Sequence, residues 1–553
     1  MPEYLYPGVY VEEIDTGNKP IEGVSTSTVG FLGIAERGPV KPILITSFDE
    51  YTRTFGRYVN DTEGDHYLAY AVEGFFLNGG KRCFVQRVFH ADSLAPANSA
   101  TRAVTDVGGV MKIWAVGPGA FGGNIAYQVS NAGLDPNGTN TKLFRLSIFY
   151  WRGGQPKPMF TPTTNTFDTP PTQSEVYDNL STVSTASTFY EGEINDVSNL
   201  IVIKHTTGDR PPNSPGDVGK DANGKSLFLN GAGAPVFLDP ASDGKPSVAG
   251  GSLFNQEDFA GGDADLTLPD AFKTSASPSK TGLDGLGDVD EISLLCCPEE
   301  SYLGPKLIAG LLTTQCENKK DRFAILQAPS AVIPPNDPSI NSKYAAYYYP
   351  WLKISDPRTS VPLLIPPGGH VAGIYARSDT TVGVHKDPAN EVIRGIDELQ
   401  VQTNDQQQSI LNPKGVNVLR YFRGAGNLVW GGRTTANDPD WKYINVRRLF
   451  IFVEKSILRG TQWVVFENND EPLWARVRRS VSDFLTTLWR DGMLQGAKKE
   501  QAYFVRCDHT TMTQADIDNG RLICVIGIAP VKPAEFVIFR IGQWDGGSSV
   551  TEG

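Results

Sequence analysis

Thr28-Val29-Gly30-Phe31-Leu32-Gly33-Ile34-Ala35 is a compact apolar run suited to a buried strand. Working outward from it, Pro42 to Thr46 reads as a second strand, and the apolar positions from Ser47 to Phe55 and from Asp65 to Asn78 suit helices. The second helix ends at Gly79-Gly80, and Cys83 to Phe89 follows as another strand. Upstream, Gly17, Pro20 and Gly23 make a flexible joint behind a short strand around Val9-Tyr10-Val11, itself preceded by the turn pair Pro7-Gly8. The same alternation returns near Asp290, with a strand at Ile292 to Cys296, a helix across Tyr302 to Glu317 and a strand at Phe323 to Gln327. The fold class is α/β.

Between these two α/β stretches the character changes. After about Ala91, Thr, Ser, Asn, Gly and Pro rise, and short runs such as Ile125 to Ser130 and Leu143 to Trp151 are separated by turn residues. An inserted, β-rich unit is expected. Thr206 to about Pro278, rich in Gly, Pro, Asp and Ser, is expected to hold long surface loops. A chain of 553 residues exceeds one ordinary core, so several units are expected.

Asp470 to Leu494 carries the plainest helical pattern. Asp470 can cap it, Pro472 suits its first turn and Gly492 its end. Leu473, Val477, Val481, Phe484, Leu485 and Leu488 share one face, while Arg476, Arg479 and Arg490, with Asp483 among them, share nearly the opposite one. Arginines opposite an apolar stripe are commonly just the solvated side; on an acidic protein they also suit an anionic partner. At the C-terminus, Ile523 to Ile528 and Phe536 to Ile541 are apolar on both faces, so these strands expect cover on two sides, which a chain terminus often finds in a neighbour.

A formal net charge of -12 argues against nucleic acid as the main partner, since phosphate binding needs a basic surface. No stretch approaches the ~20 apolar residues of a membrane span, and the opening MPEYLYPGVYVEE lacks the features of a signal peptide, so folding in the cytosol is expected. The six cysteines show no metal-like spacing and read as buried reduced thiols. Gly219 to Ser226 matches a phosphate-loop pattern through Lys225 and Ser226, but no strand feeds it and Gly and Pro stand where its helix should run, so it reads as a solvated loop. His370, Asp379 and His385 lie within sixteen residues without an i,i+4 histidine pair and read as loop polarity rather than a metal site. Cys507 and His509 share a strand face, with nothing to imply an activated thiol. No catalytic residue, metal or cofactor is assigned.

Several motifs, in order, resemble one family. They are Tyr6-Pro7-Gly8-Val9-Tyr10-Val11-Glu12-Glu13, Pro118 to Ile125, Pro366 to Arg377 followed by Pro388-Ala389-Asn390, Asn412 to Arg423, Val429 to Thr434, Trp441 to Leu449, Glu454 to Ile457 and Phe466 to Asn469. The chain looks like the contractile tail sheath proteins of phages and phage-tail-like injection systems.

The resemblance implies a helical homopolymer of six-fold symmetry around an inner tube, associated with baseplate and tail-terminating cap proteins, with no nucleic-acid partner and no direct membrane insertion. It implies terminal arms that pair into neighbouring subunits, here Val9, Tyr10, Val11 and Phe536, Val537, Ile538, Phe539, and an inner-tube contact through Arg476, Arg479, Asp483 and Arg490. It also implies an organisation into an N-terminal arm and joint (1–23), an inner α/β domain in two parts (24–92 and 288–515), an outer β-rich domain (93–287) and C-terminal strands (516–553). Assembly in the bacterial cytoplasm would precede a virion tail or a released or membrane-docked particle. The competing readings are a receptor- or glycan-binding tail component, suggested by the Thr/Asn-rich insertion, and a nucleotide-dependent assembly factor using Lys225 and Ser226.

Overall fold

A computed structural model describes residues 20–61, 64–90, 102–155, 160–161, 166–167, 169–195, 197–206, 210–213, 236–239, 260, 280–301, 306–335, 337–338 and 340–540. Val9 to Val11 and the Gly219 to Ser226 loop lie outside them, as does most of Thr206 to Pro278.

The largest sheet has nine strands, numbered here in chain order: β1 Val29–Ile34, β2 Ile43–Ile45, β3 Cys83–Val88, β4 Leu294–Cys296, β5 Phe323–Gln327, β6 Ala345–Tyr349, β7 Glu391–Val392, β8 Val416–Phe422 and β9 Gly426–Trp430. Their spatial order is β2-β3-β1-β4-β5-β6-β8-β9-β7. The six strands from β3 to β8 in that order are parallel, and antiparallel strands extend both ends. Every residue of β1, β4, β5 and β6 is buried, as an unbroken apolar run predicts when helices cover both faces. β1 and β4 are hydrogen-bonded neighbours although some 260 residues separate them in sequence.

Six helices matter below: α1 Phe48–Phe55, α2 Leu68–Leu77, α3 Leu307–Lys319, α4 Gly368–Thr381, α5 Ile444–Gly460 and α6 Glu471–Arg490. Helix α2 lacks a side-chain cap of its own; its first amides are met by Glu299, whose Oε1 accepts from Tyr67 N at 2.9 Å and Leu68 N at 3.0 Å. Burial pushes that carboxyl up to about 8 despite those bonds.

Helix α4 corrects the reading of His370 and Asp379 as loop residues. Gly368, Gly369 and Gly373 argue against a helix by propensity, yet they are what this one requires. A Cβ on Gly369 would stand 2.3 Å from the Ala71 backbone, and one on Gly373 2.4 Å from Phe75 O, so α2 and α4 cross in backbone contact.

Of the residues between β3 and β4, Gln173–Ser181, Leu143–Tyr150, Ile125–Ser130 and Val236–Phe237 form a four-stranded sheet, and Ile201–His205, Met111–Ala115 and Val104–Val107 a three-stranded one. They share a core of their own around Ile113, Ile125, Phe144, Ile148 and Ile203. The seam with the larger sheet is polar: Arg87 of β3 donates to Pro118 O at 2.7 Å, and Glu36 accepts from Tyr150 Oη at 2.7 Å and pairs with Arg152 at 2.9 Å. A third core joins α5 and α6 to Ile21, Cys507 and Met512.

Candidate assembly surfaces

Helix α6 forms as its end signals predict. Asp470 Oδ1 accepts from Leu473 N at 3.0 Å, Pro472 stands in the first turn and Gly492 adopts φ +76° past the end. The cap contributes about 1 kcal/mol. Leu473, Val477, Val481, Phe484, Leu485 and Leu488 are all buried, and Arg476, Arg479, Asp483 and Arg490 are all exposed. The cationic face is weaker than three arginines suggest, because Arg476 pairs with Glu467 at 2.9 Å and lies 5.3 Å from the Trp463 ring centre.

The third core also takes in Ile21 and the hairpin that precedes the C-terminal run. Ile21 packs on α5 so closely that a Cβ on Gly460 would stand 2.7 Å from it, and Val24 N donates to Ser456 Oγ at 3.1 Å. At the other end Tyr503–Arg506 and Val525–Ile528 form a two-stranded antiparallel sheet whose Tyr503, Val505, Ile526 and Ile528 pack against the same core. Two strands alone are a marginal sheet, and Phe504 and Val525 are left exposed.

Beyond this hairpin, residues 531–540 contain neither strand nor helix, so of the expected strand at Phe536 to Ile541 the described residues, 536–540, are not in a strand. The run is tethered at one point. Glu535 accepts from Arg433 Nε at 2.7 Å and Nη2 at 2.8 Å, from Asn412 Nδ2 at 2.8 Å and from Tyr443 Oη at 3.2 Å, with Lys442 Nζ at 3.3 Å. Burial alone would raise this carboxyl; the Arg433 and Asn412 hydrogen bonds, with the Arg433 and Lys442 charges, outweigh it and hold it down to about 2. Immediately after it, Phe536, Val537, Ile538 and Phe539 are 72, 68, 79 and 83% exposed. Four consecutive apolar side chains thus stand in water beside a charged clamp.

Because folding holds the Glu535 carboxyl below its ordinary value, the clamp is fully present above pH about 4.5 and is lost as pH falls towards about 2. Glu535→Gln removes the charge at every pH. At pH 7, hydrogen exchange in the peptide around Glu535 should then run roughly ten- to a hundredfold faster, equivalent to about 1.4–2.8 kcal/mol for hydrogen bonds to a charged group. Unchanged exchange would show that the clamp does not hold the run.

The other sites considered from sequence do not come together. Asp379 is taken by Arg448, at 2.6 and 2.8 Å, and by Thr26 Oγ1 at 2.6 Å. His370 is buried against α2, its pKa pushed down to about 4 by burial, and His385 lies half-buried after α4. Among the described residues no three His, Cys, Asp or Glu side chains are placed to hold a metal. Cys507 lies just past the end of its strand and buried, whereas His509 is exposed, 3.2 Å from Glu471. No helix among the described residues is long and apolar enough to cross a membrane.

Two family models match consecutively: the phage tail sheath protein central domain over residues 283–435 and the phage tail sheath C-terminal domain over 436–543. The tail sheath protein of Vibrio phage KVP40 is 23% identical over 360 residues, covering 59% of this chain and 51% of that protein. A putative prophage major tail sheath protein of Pseudomonas aeruginosa is 26% identical over 204 residues, 35% of this chain and 51% of that protein. The chain thus spans about half the length of these curated relatives. Among solved structures, the sheath complex of an extracellular contractile injection system in its contracted state aligns over 99% of both chains, with TM-score 0.54 and 21% identity. The sheath tail protein of Listeria innocua aligns over 93% of this chain and 96% of that one, with TM-score 0.54 and 10% identity.

Proposed function

From the match of two phage tail sheath domain models over residues 283–543, we propose that this chain is a structural subunit that polymerises helically around an inner tube and contracts to drive that tube through a target envelope. The observation that carries the reading is the run Phe536 to Phe539, which leaves the Glu535 clamp with four exposed apolar side chains and no partner strand among the described residues. Strand addition to a neighbour covers such a run, the main chain supplying affinity and alternate side chains the register. The two-stranded sheet at Tyr503–Arg506 and Val525–Ile528 is its natural acceptor. Val9, Tyr10 and Val11 are the proposed second arm.

A head-to-tail contact that does not close on itself generates an open helical polymer, and tethered arms let subunits rotate without separating. The parts assigned to 24–92 and 288–515 would face the tube, and 93–287 would lie outward. Arg476, Arg479, Asp483 and Arg490 are the proposed tube contact, weak enough and electrostatic enough to release. Contraction draws its free energy from a kinetically trapped extended state, not from a nucleotide. Assembly would precede incorporation into a virion tail or tail-like particle, with baseplate and cap proteins at its ends.

Negative-stain electron microscopy of the concentrated full-length chain tests this directly. Tubular polymers are expected; a chain that stays monomeric, alone and with a tube protein encoded beside it, would contradict the reading.

A further inference from the structure

The hairpin that precedes the C-terminal run ends in a pair of cysteines. Tyr503 stands opposite Ile528 and Arg506 opposite Val525, so one step further along both strands Cys507 faces Cys524. Ala529 N donates to Ala502 O at 2.8 Å, which makes that pair hydrogen-bonded. The alternation of an antiparallel ladder then makes Cys507 and Cys524 a non-hydrogen-bonded pair, with Cα atoms ~4.5 Å apart, inside the ~4.4–6.8 Å a disulfide spans. Their sulfurs are within hydrogen-bonding reach, Cys524 as donor and Cys507 as acceptor, and both thiols are free.

Their surroundings are unlike those of the other four cysteines. Cys83, Cys296, Cys297 and Cys316 are fully buried, and burial raises each thiol pKa. Cys507 is also buried, but the hydrogen bond from Cys524 outweighs burial and, with the charge of Arg478, holds its pKa below the ordinary value. Arg478 of α6 is anchored there, donating through Nη1 to Cys507 O at 2.8 Å. Cys524 is only half-buried, so one sulfur of the pair is within reach of solvent.

We propose that Cys507 and Cys524 form a reversible disulfide, a redox-made clip at the base of the C-terminal hairpin, when the protein meets a low-molecular-weight disulfide. Cys524 loses its proton to water and attacks the small disulfide, whose S–S bond breaks; the expelled small thiolate takes up a proton from water and a mixed disulfide is left on Cys524. The Cys507 sulfur then attacks the Cys524 sulfur, its proton leaving with the second small thiol. Two protein thiols are oxidised to one disulfide and the small disulfide is reduced to two thiols. In a reducing compartment the hairpin stays open, and in an oxidising one it is clipped. The strand so pinned, Val525–Ile528, is the one that leads to the Glu535 clamp and the exposed run.

The full-length chain is incubated with oxidised glutathione at pH 8, alkylated under denaturing conditions and mapped by mass spectrometry without reduction. Free thiols should fall by two from the six in the sequence, with the tryptic peptide Cys507 to Arg521 joined to the one beginning at Leu522. Cys507→Ser should instead accumulate glutathione on Cys524, and Arg478→Gln should slow bridging roughly three- to tenfold. Retention of all six thiols by the folded protein, a wild-type adduct on Cys524 that never resolves to the bridge, or an unmodified Cys524 in Cys507→Ser would each overturn the proposal.

Discussion

Methionine in place of Arg448 should lower the unfolding free energy by roughly 3–5 kcal/mol, the usual cost of stranding one partner of a buried ion pair. Arg448 and Asp379 are each 3% exposed, and the guanidinium bonds both carboxylate oxygens, at 2.8 and 2.6 Å. Burial would weaken the arginine's hold on its proton, but the Asp379 charge and hydrogen bonds more than compensate, so Arg448 keeps its charge. Arg448 also donates to Thr26 O at 3.0 Å, and Thr26 Oγ1 donates to Asp379 at 2.6 Å. Three segments meet there: α5, α4 and the stretch that carries the chain from Ile21 into β1. The effect is read as a fall in the urea midpoint. The double variant Arg448→Met with Asp379→Leu should recover most of the loss, because it removes the stranded charge as well. An Arg448→Met midpoint equal to wild type would show that the pair contributes nothing.

Gly369→Ala should be of comparable size for a different reason. Its new Cβ would need the space of the Ala71 Cα and carbonyl oxygen, each 2.3 Å away, and backbone cannot rotate aside as a side chain does. The α2–α4 crossing must open, which strips contacts from Phe75 and Val371 in the main core as well. A loss of about 3 kcal/mol or more is expected, seen as an early urea transition or as insoluble protein. Gly310→Ala in α3 is the control: nothing lies within 4 Å of its Cβ position, so gaining a better helix former should stabilise by about 0.5–1 kcal/mol. Equal midpoints for Gly369→Ala and wild type would mean that the helices do not cross as described.

These two sites also mark where sequence reading stops. The strands at Val29–Ile34 and Phe323–Gln327 were legible because two-sided burial demands an unbroken apolar run, which nothing else in that length explains. Helix α6 was legible because its cap, its proline and its closing glycine are local signals that agree with its apolar stripe. Helix α4 was not, since its glycines weaken local helical preference and serve a contact with residues some three hundred positions earlier. Glu535 was invisible for the same kind of reason: a lone acid between Ala534 and Phe536 gains its meaning from Arg433, Asn412 and Lys442, a hundred residues away. The exposed face of α6 was legible residue by residue, but not the pairing with Glu467 that lessens its charge. Phe536 to Ile541 stood out as an apolar run needing cover, and the described residues leave Phe536 to Phe539 exposed.

We propose that copies of this chain are linked through their terminal runs. It is tested most directly by electron microscopy of a Phe536→Asp, Ile538→Asp variant beside wild type, with circular dichroism to establish that both are folded. Those side chains are 72 and 79% exposed and belong to none of the cores described, so the variant should fold normally while a charge on one face of the added strand prevents docking. Tubes from wild type and dispersed, folded subunits from the variant are the predicted result. Tubes of unchanged length and abundance from the variant would contradict the account.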